Sequence, residues 1–235
     1  MVVRSTWDYT GRRDAFVAWA QSVGRRLVNP PEVIRWNTDK RYLADLEEVG
    51  LPIVPTRFVA PGEEPDEMPA HCVVKPAVSA GSRDTARHED RGAARAHVRS
   101  LTGAGRVAMV QPYLEEIDEA GETALLYCEG AYSHAIRKGP LLLGGAATVQ
   151  GLFAPENITA RDPRPAEREV GDAVMAEVGR RFGPLLYARV DLIGADPVVL
   201  ELELTEPSLF FAHDDAAPAR FAEAIRRRAR AAASA

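Results

Sequence analysis

A chain of 235 residues, 46% hydrophobic and 27% charged, has apolar content for a full core in one large domain or two small ones. Its net charge of -5 argues against a nucleic-acid partner, because phosphate backbones select basic surfaces. Two cysteines inside apolar runs, Cys72 and Cys128, no signal-peptide pattern and no apolar run near the roughly 20 residues that span a bilayer set the expectation of a reduced, cytoplasmic protein without membrane contact.

Residues 1–4 read as the tail of a strand, and 14–27 as a helix with Phe16, Trp19, Ala20 and Val23 on one face. Asn29-Pro30-Pro31 stops that helix. Tyr42, Leu43, Leu46 and Val49 then recur at helical intervals up to Gly50, with Asn37 or Thr38 as N-cap, which puts Lys40 in the first turn. A lysine there opposes the helix dipole and calls for an anionic neighbour, the plain alternative being an exposed surface lysine. Pro52 and Pro55 make 51–59 an edge or crossing strand, and 62–70 is an acidic surface loop. The strand 71–76 puts Val73 and Lys75 on one side and feeds Ala77-Val78-Ser79-Ala80-Gly81-Ser82-Arg83. These small side chains leave their amides open to a phosphate, and Gly81 allows a positive φ. The same run also reads as a mobile surface loop. Neither G-x-x-x-x-G-K-[ST] nor G-x-G-x-x-G occurs.

Residues 90–101 predict a helix, 106–113 a buried strand, 115–122 an acidic bend, and 123–128 with 131–136 a hairpin about Glu129-Gly130. The basic pair Arg137-Lys138 follows, then 141–157, whose Gly144, Gly145 and Gly151 mark an ordered loop. A long amphipathic helix over 165–182 is closed by Gly183-Pro184, and an Ala/Arg-rich helix from Ala217 ends in a fraying AAASA.

The most informative stretch lies between these two helices, YARVDLIGADPVVLELELTEPS. Val190, Leu192, Val198, Leu200, Leu202 and Leu204 alternate as in a half-buried antiparallel pair, and the other face carries Arg189, Asp191, Glu201 and Glu203. With the turn at Asp196, Asp191 opposes Glu201 and Arg189 opposes Glu203, with Cβ atoms roughly 5 Å apart. Three acids so close repel unless a cation sits among them, and hard oxygen ligands suit Mg²⁺ together with phosphate oxygens and waters. Taken alone, the pattern also fits the solvated face of a hairpin. The five histidines have no metal-type spacing, and no G-x-S-x-G elbow occurs. Cations (Lys40, Lys75, Arg137, Lys138, Arg189), a small-residue flap and a carboxylate cluster are the parts of a phosphoryl-transfer site.

In their order, the phrases RSTWDY, NPPEVIRWNTDKRYL, VVKPAVSAG, VQPYLEEIDEAGETALLY, SHAIRKGPLL, YARVDLI and LELELTEPSLFF resemble the ATP-grasp superfamily, which contains D-alanine–D-alanine ligase and glutathione synthetase. Within it they resemble the branch with the cycloserine-forming O-ureido-D-serine cyclo-ligase. The resemblance implies an α/β (α+β) fold in which two mixed or antiparallel subdomains grip ATP. Residues 1–36 would be a remnant of a preceding α/β subdomain, 37–110 the small lid, and 111–235 the large subdomain with the metal site. By position, Lys40 and Lys75 match phosphate-contacting lysines, Ala80, Gly81 and Ser82 the flap over the triphosphate, the backbone of Gln111, Pro112, Tyr113 and Leu114 the adenine hinge, and Glu122 the ribose acid. Arg189 would steady the transferring phosphate, with Arg137 and Lys138 as further phosphate or substrate contacts. Asp191, Glu201 and Glu203 would hold Mg²⁺ or Mn²⁺, Glu203 standing where asparagine is common in the superfamily. Arg4, Ser5, Thr6, Trp7, Asp8 and Ser208 would line the acceptor side for a small amino-acid-like substrate.

The implied reaction converts a carboxylate into an acyl phosphate for attack by an amine, or by a hydroxylamine-type nitrogen in a cyclisation. Family members begin with a further α/β subdomain of which RSTWDY resembles the last strand. The short lead-in here is expected to reflect either a start codon placed too far downstream or a truncation. A truncated chain would be a non-catalytic nucleotide- or partner-binding remnant, with an open strand edge inviting pairing with another chain, for instance as a homo-oligomer.

Overall fold

The structure, a computed structural model, describes residues 1–65, 67–140 and 157–233. Three helices, α1 (Arg13–Val23), α2 (Pro31–Asn37) and α3 (Tyr42–Glu48), lead into a sheet of β1 (Arg57–Val59), β2 (Cys72–Pro76), β3 (Ala86–His88) and β4 (Ala108–Pro112), in spatial order β1-β4-β2-β3. The helix α4 (Arg91–Gly103) links β3 to β4. After α5 (Ile117–Ala120) a second sheet begins with β5 (Glu122–Cys128), β6 (Ala131–Lys138) and β7 (Ile158–Ala160). It continues past α6 (Pro165–Phe182) with β8 (Tyr187–Ile193) and β9 (Val198–Glu203), in order β7-β6-β5-β8-β9, and α7 (Ala217–Ala233) follows. Within both sheets every pairing is antiparallel, so the mixed α+β architecture matches the expectation.

Strand alternation splits the second sheet between two helices. Leu125 and Tyr127 on β5 face the core under α6, with Val174 and Val178, while Ala124 and Leu126 face the cluster under α7, with Ala224 and Phe221. Gly171 on α6 sits where a Cβ would run into the Leu125 and Tyr127 side chains. On the first sheet, α4 buries Ala94, Val98 and Leu101 against Cys72, Val74, Ala108 and Val110. Its N-cap is Asp90, whose Oδ1 accepts from the Ala93 amide at 2.7 Å.

The hairpin of β8 and β9 keeps the expected register where it carries charge, Arg189 opposite Glu203 and Asp191 opposite Glu201. A bulge next to Asp191 then slips the pairing, so Leu192 meets Val199. Beyond the slip Val199 is buried, in place of the expected Val198 and Leu200.

Other expectations are corrected. Residues 1–4 form no strand; the Met1 carbonyl accepts one backbone bond from Val28 at 3.0 Å, so no open strand edge arises there. The first helix stops at Val23 before a single tight turn over Gly24–Arg26, and its Trp19 is 40% exposed, stacked on Phe16 rather than buried. Pro30-Pro31, expected to stop the first helix, instead starts the next: Pro31 takes the first position of α2, where its missing N–H costs nothing. Asn37 therefore closes α2 instead of capping α3, and Lys40 falls in the turn between them. Of 51–59 only Arg57–Val59 is strand, and Ile53 makes an isolated parallel bridge to Val199, so the segment crosses from one sheet to the other. The ordered loop expected over 141–157 lies, apart from Asn157, outside the described residues.

Two asparagines tie the amino-terminal segment to the β8–β9 hairpin. Asn29 donates to the carbonyls of Tyr187 (3.0 Å) and Leu204 (2.7 Å) and accepts from the Leu186 amide (3.0 Å). Asn37 donates to Leu202 O and accepts from Leu204 N, both at 2.7 Å, continuing the ladder beyond the edge strand β9. Asn29→Ala removes a partner from three backbone groups beside a 2%-exposed side chain, so we expect a loss of about 2–4 kcal/mol. Urea unfolding measures it; an unchanged midpoint would show that the clasp carries no stability.

Candidate active site

A cleft opens between the two sheets. Its floor is the charged face of β8 and β9, its roof the loop between β2 and β3, and its rear wall the end of β4. Strand alternation puts Val73 and Lys75 of β2 into it together, as expected. The roof loop carries three left-handed residues, Gly81 (φ 62°), Ser82 (φ 58°) and Asp84 (φ 56°), and Arg106 anchors its far end by an ion pair to Asp84 at 2.6 Å. Two of the three are not glycine, so the loop holds a conformation that L residues adopt at a cost.

Charge is concentrated below. Arg189 grips Asp191 with two parallel bonds, Nε to Oδ1 at 2.8 Å and Nη2 to Oδ2 at 2.9 Å, and also donates to Glu203. Lys138 Nζ reaches Asp191 Oδ2 at 2.7 Å and Glu122 Oε2 at 2.9 Å. Lys40 Nζ pairs with Glu201 at 3.0 Å and donates to the Ser79 carbonyl at 2.8 Å, tying floor to roof. Burial alone would raise the Asp191 carboxyl, but Arg189 and Lys138 hold it down at about 2. Burial works against the Lys138 charge too, yet Asp191 and Glu122 prevail and raise its pKa. Burial raises Glu203 to about 7 in spite of Arg189. In Glu201 the opposing pull of Lys40 and Lys75 outweighs burial and lowers the carboxyl.

Two acidic or basic side chains of the cleft have no hydrogen-bond or ion-pair partner among the described residues. Lys75 is 8% exposed, and burial, only partly offset by Glu201, lowers its pKa. Glu206 is 7% exposed, its Oε2 is unpartnered, and burial followed by the charge of Glu203 pushes it up to about 8.

Of the residues singled out from sequence, Lys40, Lys75, Ala80, Gly81, Ser82, Gln111, Pro112, Tyr113, Leu114, Glu122, Lys138, Arg189, Glu201, Glu203, Trp7 and Ser208 all line this cleft. Others do not. Asp191 lies beneath the floor, 1% exposed, with both oxygens committed to Arg189 and Lys138. Arg137 points away from its neighbour, as alternation on β6 requires, and donates to the carbonyls of Glu119 and Ala120 at 2.7 Å. Asp8 faces solvent and pairs with Arg12, Ser5 sits in a left-handed turn (φ 54°), and the buried Thr6 hydroxyl has no partner. Arg4 donates to the Pro207 carbonyl at 2.6 Å, bracing the segment after β9. Among the described residues no three His, Cys, Asp or Glu side chains form a ready-made metal cage. The donors that do face the cleft, Glu201 and Glu203, are hard oxygens, each 27% exposed and each paired with a basic group. Sequence reasoning missed Leu200, turned into the cleft past the bulge, and Tyr9, Ile193, Glu206 and Phe210.

This arrangement meets known proteins at several levels. A family model described as the N-terminal domain of D-cycloserine synthetase DcsG matches residues 1–29. The cycloserine biosynthesis protein DcsG of Streptomyces lavendulae is 39% identical across 97% of this chain and 82% of its own length. The chain belongs to the D-cycloserine synthetase branch of the ATP-grasp ligases. The crystal structure of D-cycloserine synthetase DcsG superposes with a TM-score of 0.86 at 37% identity, over 96% of this chain and 82% of that one. A D-alanine–D-alanine ligase from Bacillus anthracis complexed with ATP has a TM-score of 0.65 at 15% identity, over 90% and 71%, a likeness of fold. Among the described residues no helix of this ATP-grasp ligase is long and apolar enough to cross a membrane.

The Glu206 carboxyl gives a pH signature. Its ordinary value is 4.5 and its folded value about 8, so between these the folded chain keeps a proton that the unfolded chain has lost. Protein freed of nucleotide and divalent metal should therefore lose stability as pH rises from about 4.5 to 8, and Glu206→Gln should flatten that decline. Thermal midpoints across the window test it, and parallel curves for the two proteins would sink the assignment.

Proposed function

We propose that this chain is an ATP- and Mg²⁺-dependent ligase that activates the carboxylate of a small amino-acid-like substrate and joins it to nitrogen, as in the cyclisation of O-ureido-D-serine. One observation carries the reading: Lys40, Lys75, Glu122, Lys138, Arg189, Glu201 and Glu203 converge on one cleft between two sheets, under a strained loop of small residues. Residues 37–110 then act as the lid and 111–235 as the base, the change of sheet falling between β4 and β5, with 1–36 leading into the lid.

Adenine would lie against Val73, Ile193 and Leu200, bonded by the backbone of Gln111, Pro112, Tyr113 and Leu114, and Glu122 would take the ribose hydroxyls. Lys75, a buried cation without a partner, is suited to phosphate oxygens, and Lys40 exchanges the Ser79 carbonyl for them. Glu201 and Glu203 would hold Mg²⁺, or Mn²⁺, which supplies charge neutralisation along the phosphate chain. Asp191, saturated by two cations, fixes the guanidinium of Arg189 over the transferring phosphoryl group. A substrate carboxylate oxygen forms a bond to the γ-phosphorus as the bond to ADP breaks. The nitrogen then adds to the acyl carbon, phosphate leaves with its bonding pair, and the nitrogen's proton passes to solvent or phosphate. Ala80, Gly81 and Ser82 keep water from the acyl phosphate, while Trp7 and Ser208 flank the acceptor.

ADP release is to be measured with O-ureido-D-serine and a panel of D- and L-amino acids at millimolar Mg·ATP. Turnover with equal amounts of ADP and phosphate is expected, Glu201→Gln should lower kcat by about 10²-fold or more, and Lys75→Met should weaken ATP binding about tenfold. Absence of nucleotide binding would end this reading. Binding with no turnover on any carboxylate would leave a non-catalytic nucleotide-binding protein in its place.

A further inference from the structure

Four carboxylates line the cleft among the described residues, and three are already answered by a cation: Glu122 by Lys138, Glu201 by Lys40, Glu203 by Arg189. The fourth, Glu206, is not. It follows β9 by three residues, is held against the cleft by Pro207, whose carbonyl Arg4 grips, and keeps an oxygen buried with no donor. Lys40 is committed to Glu201 and Ser79 and Arg189 to Asp191 and Glu203, while Arg4, close enough for its charge to interact with Glu206, donates to the Pro207 carbonyl and forms no ion pair with the acid. The Tyr9 phenol lies close enough to feel the Glu206 charge, and Tyr9 lines the same cleft.

A buried carboxylate with no donor needs either a proton or a cation from outside the chain. Taking the cleft as a ligase site on an amino acid, we propose that Glu206 is the subsite for the substrate's α-ammonium group. The chemistry of the substrate supports this placement. An α-amino acid carries its ammonium on the carbon next to the reacting carboxylate, so the two groups enter together. The carboxylate must reach the phosphoryl group that Arg189 faces in the reading above, and Glu206 is the cleft acid, within reach of the Arg189 field, still free to accept from an ammonium. Lys75 and Glu206 are thus complementary: one unanswered cation for phosphate, one unanswered anion for the amino group.

The test is equilibrium binding of O-ureido-D-serine and of its desamino analogue, 3-(ureidooxy)propanoate, to the full chain with a non-hydrolysable ATP analogue and Mg²⁺ present. Wild type should prefer the amino compound by about tenfold or more, the usual effect of one charge-assisted hydrogen bond. In Glu206→Gln that preference should fall below about threefold, with the analogue's affinity unchanged, and Glu206→Asp should keep part of it. The proposal is overturned if wild type shows no preference or no binding, or if E206Q retains the preference, which would make Glu206 a protonated structural acid. It is equally overturned if E206Q loses Mg·nucleotide affinity along with the amino compound, which would make it a metal ligand. ADP release followed in parallel keeps the two readings apart: discrimination without turnover sinks the ligase and leaves the subsite, and turnover without discrimination does the reverse.

Discussion

Arg189, Lys138, Asp191 and Glu122 form one chain of buried charge across three adjacent strands, and none of the four is more than 9% exposed. Taking such groups out of water is expensive, and apolar side chains of similar volume would often hold a sheet together as well. The arrangement is better understood as positioning. Asp191 occupies two cations at once, so Arg189 and Lys138 are fixed without facing the cleft acids alone, and the cleft inherits a rigid charged floor.

That floor explains how three acids coexist on two strands before any nucleotide arrives. Each acid has a protein cation opposite it: Lys40 for Glu201, Arg189 for Glu203, Lys138 for Glu122. If the cleft takes nucleotide and a divalent ion as proposed, binding would be a substitution of partners in an already desolvated site. Lys40 has the widest reach, since its amide also donates to Ala77 at 2.8 Å and its ammonium to Ser79, both at the root of the roof loop.

Much of this was legible in the chain. The alternation about Asp196 placed Asp191 against Glu201 and Arg189 against Glu203 before any coordinates, and Pro165 and Gly183 bounded α6. Period-two reasoning also separates Arg137 from Lys138, since neighbours on a strand point to opposite faces. What escaped was set by contacts remote in sequence. A bulge is invisible in a run such as VVLELE, yet it decides that Leu200 enters the cleft. Glu206 reads as an ordinary acid beside a proline, and only the fold shows it buried with nothing opposite. Residues 1–4, expected to be the tail of a strand, form none, and Met1 bonds instead to the main chain of Arg26 and Val28.

The outermost strand of a sheet usually offers a foreign polypeptide a free ladder to copy. On β9 that ladder is taken: Val199 exchanges bonds with Pro52 and Val54, Leu202 with Tyr42 and Asn37, and Leu204 N–H is held by Asn37. Side chains and a crossing loop thus do the work of a tenth strand. The strand bearing Glu201 and Glu203 is shielded from fibril-like self-templating, and it cannot slide lengthwise by a residue, which would turn its acids into the core.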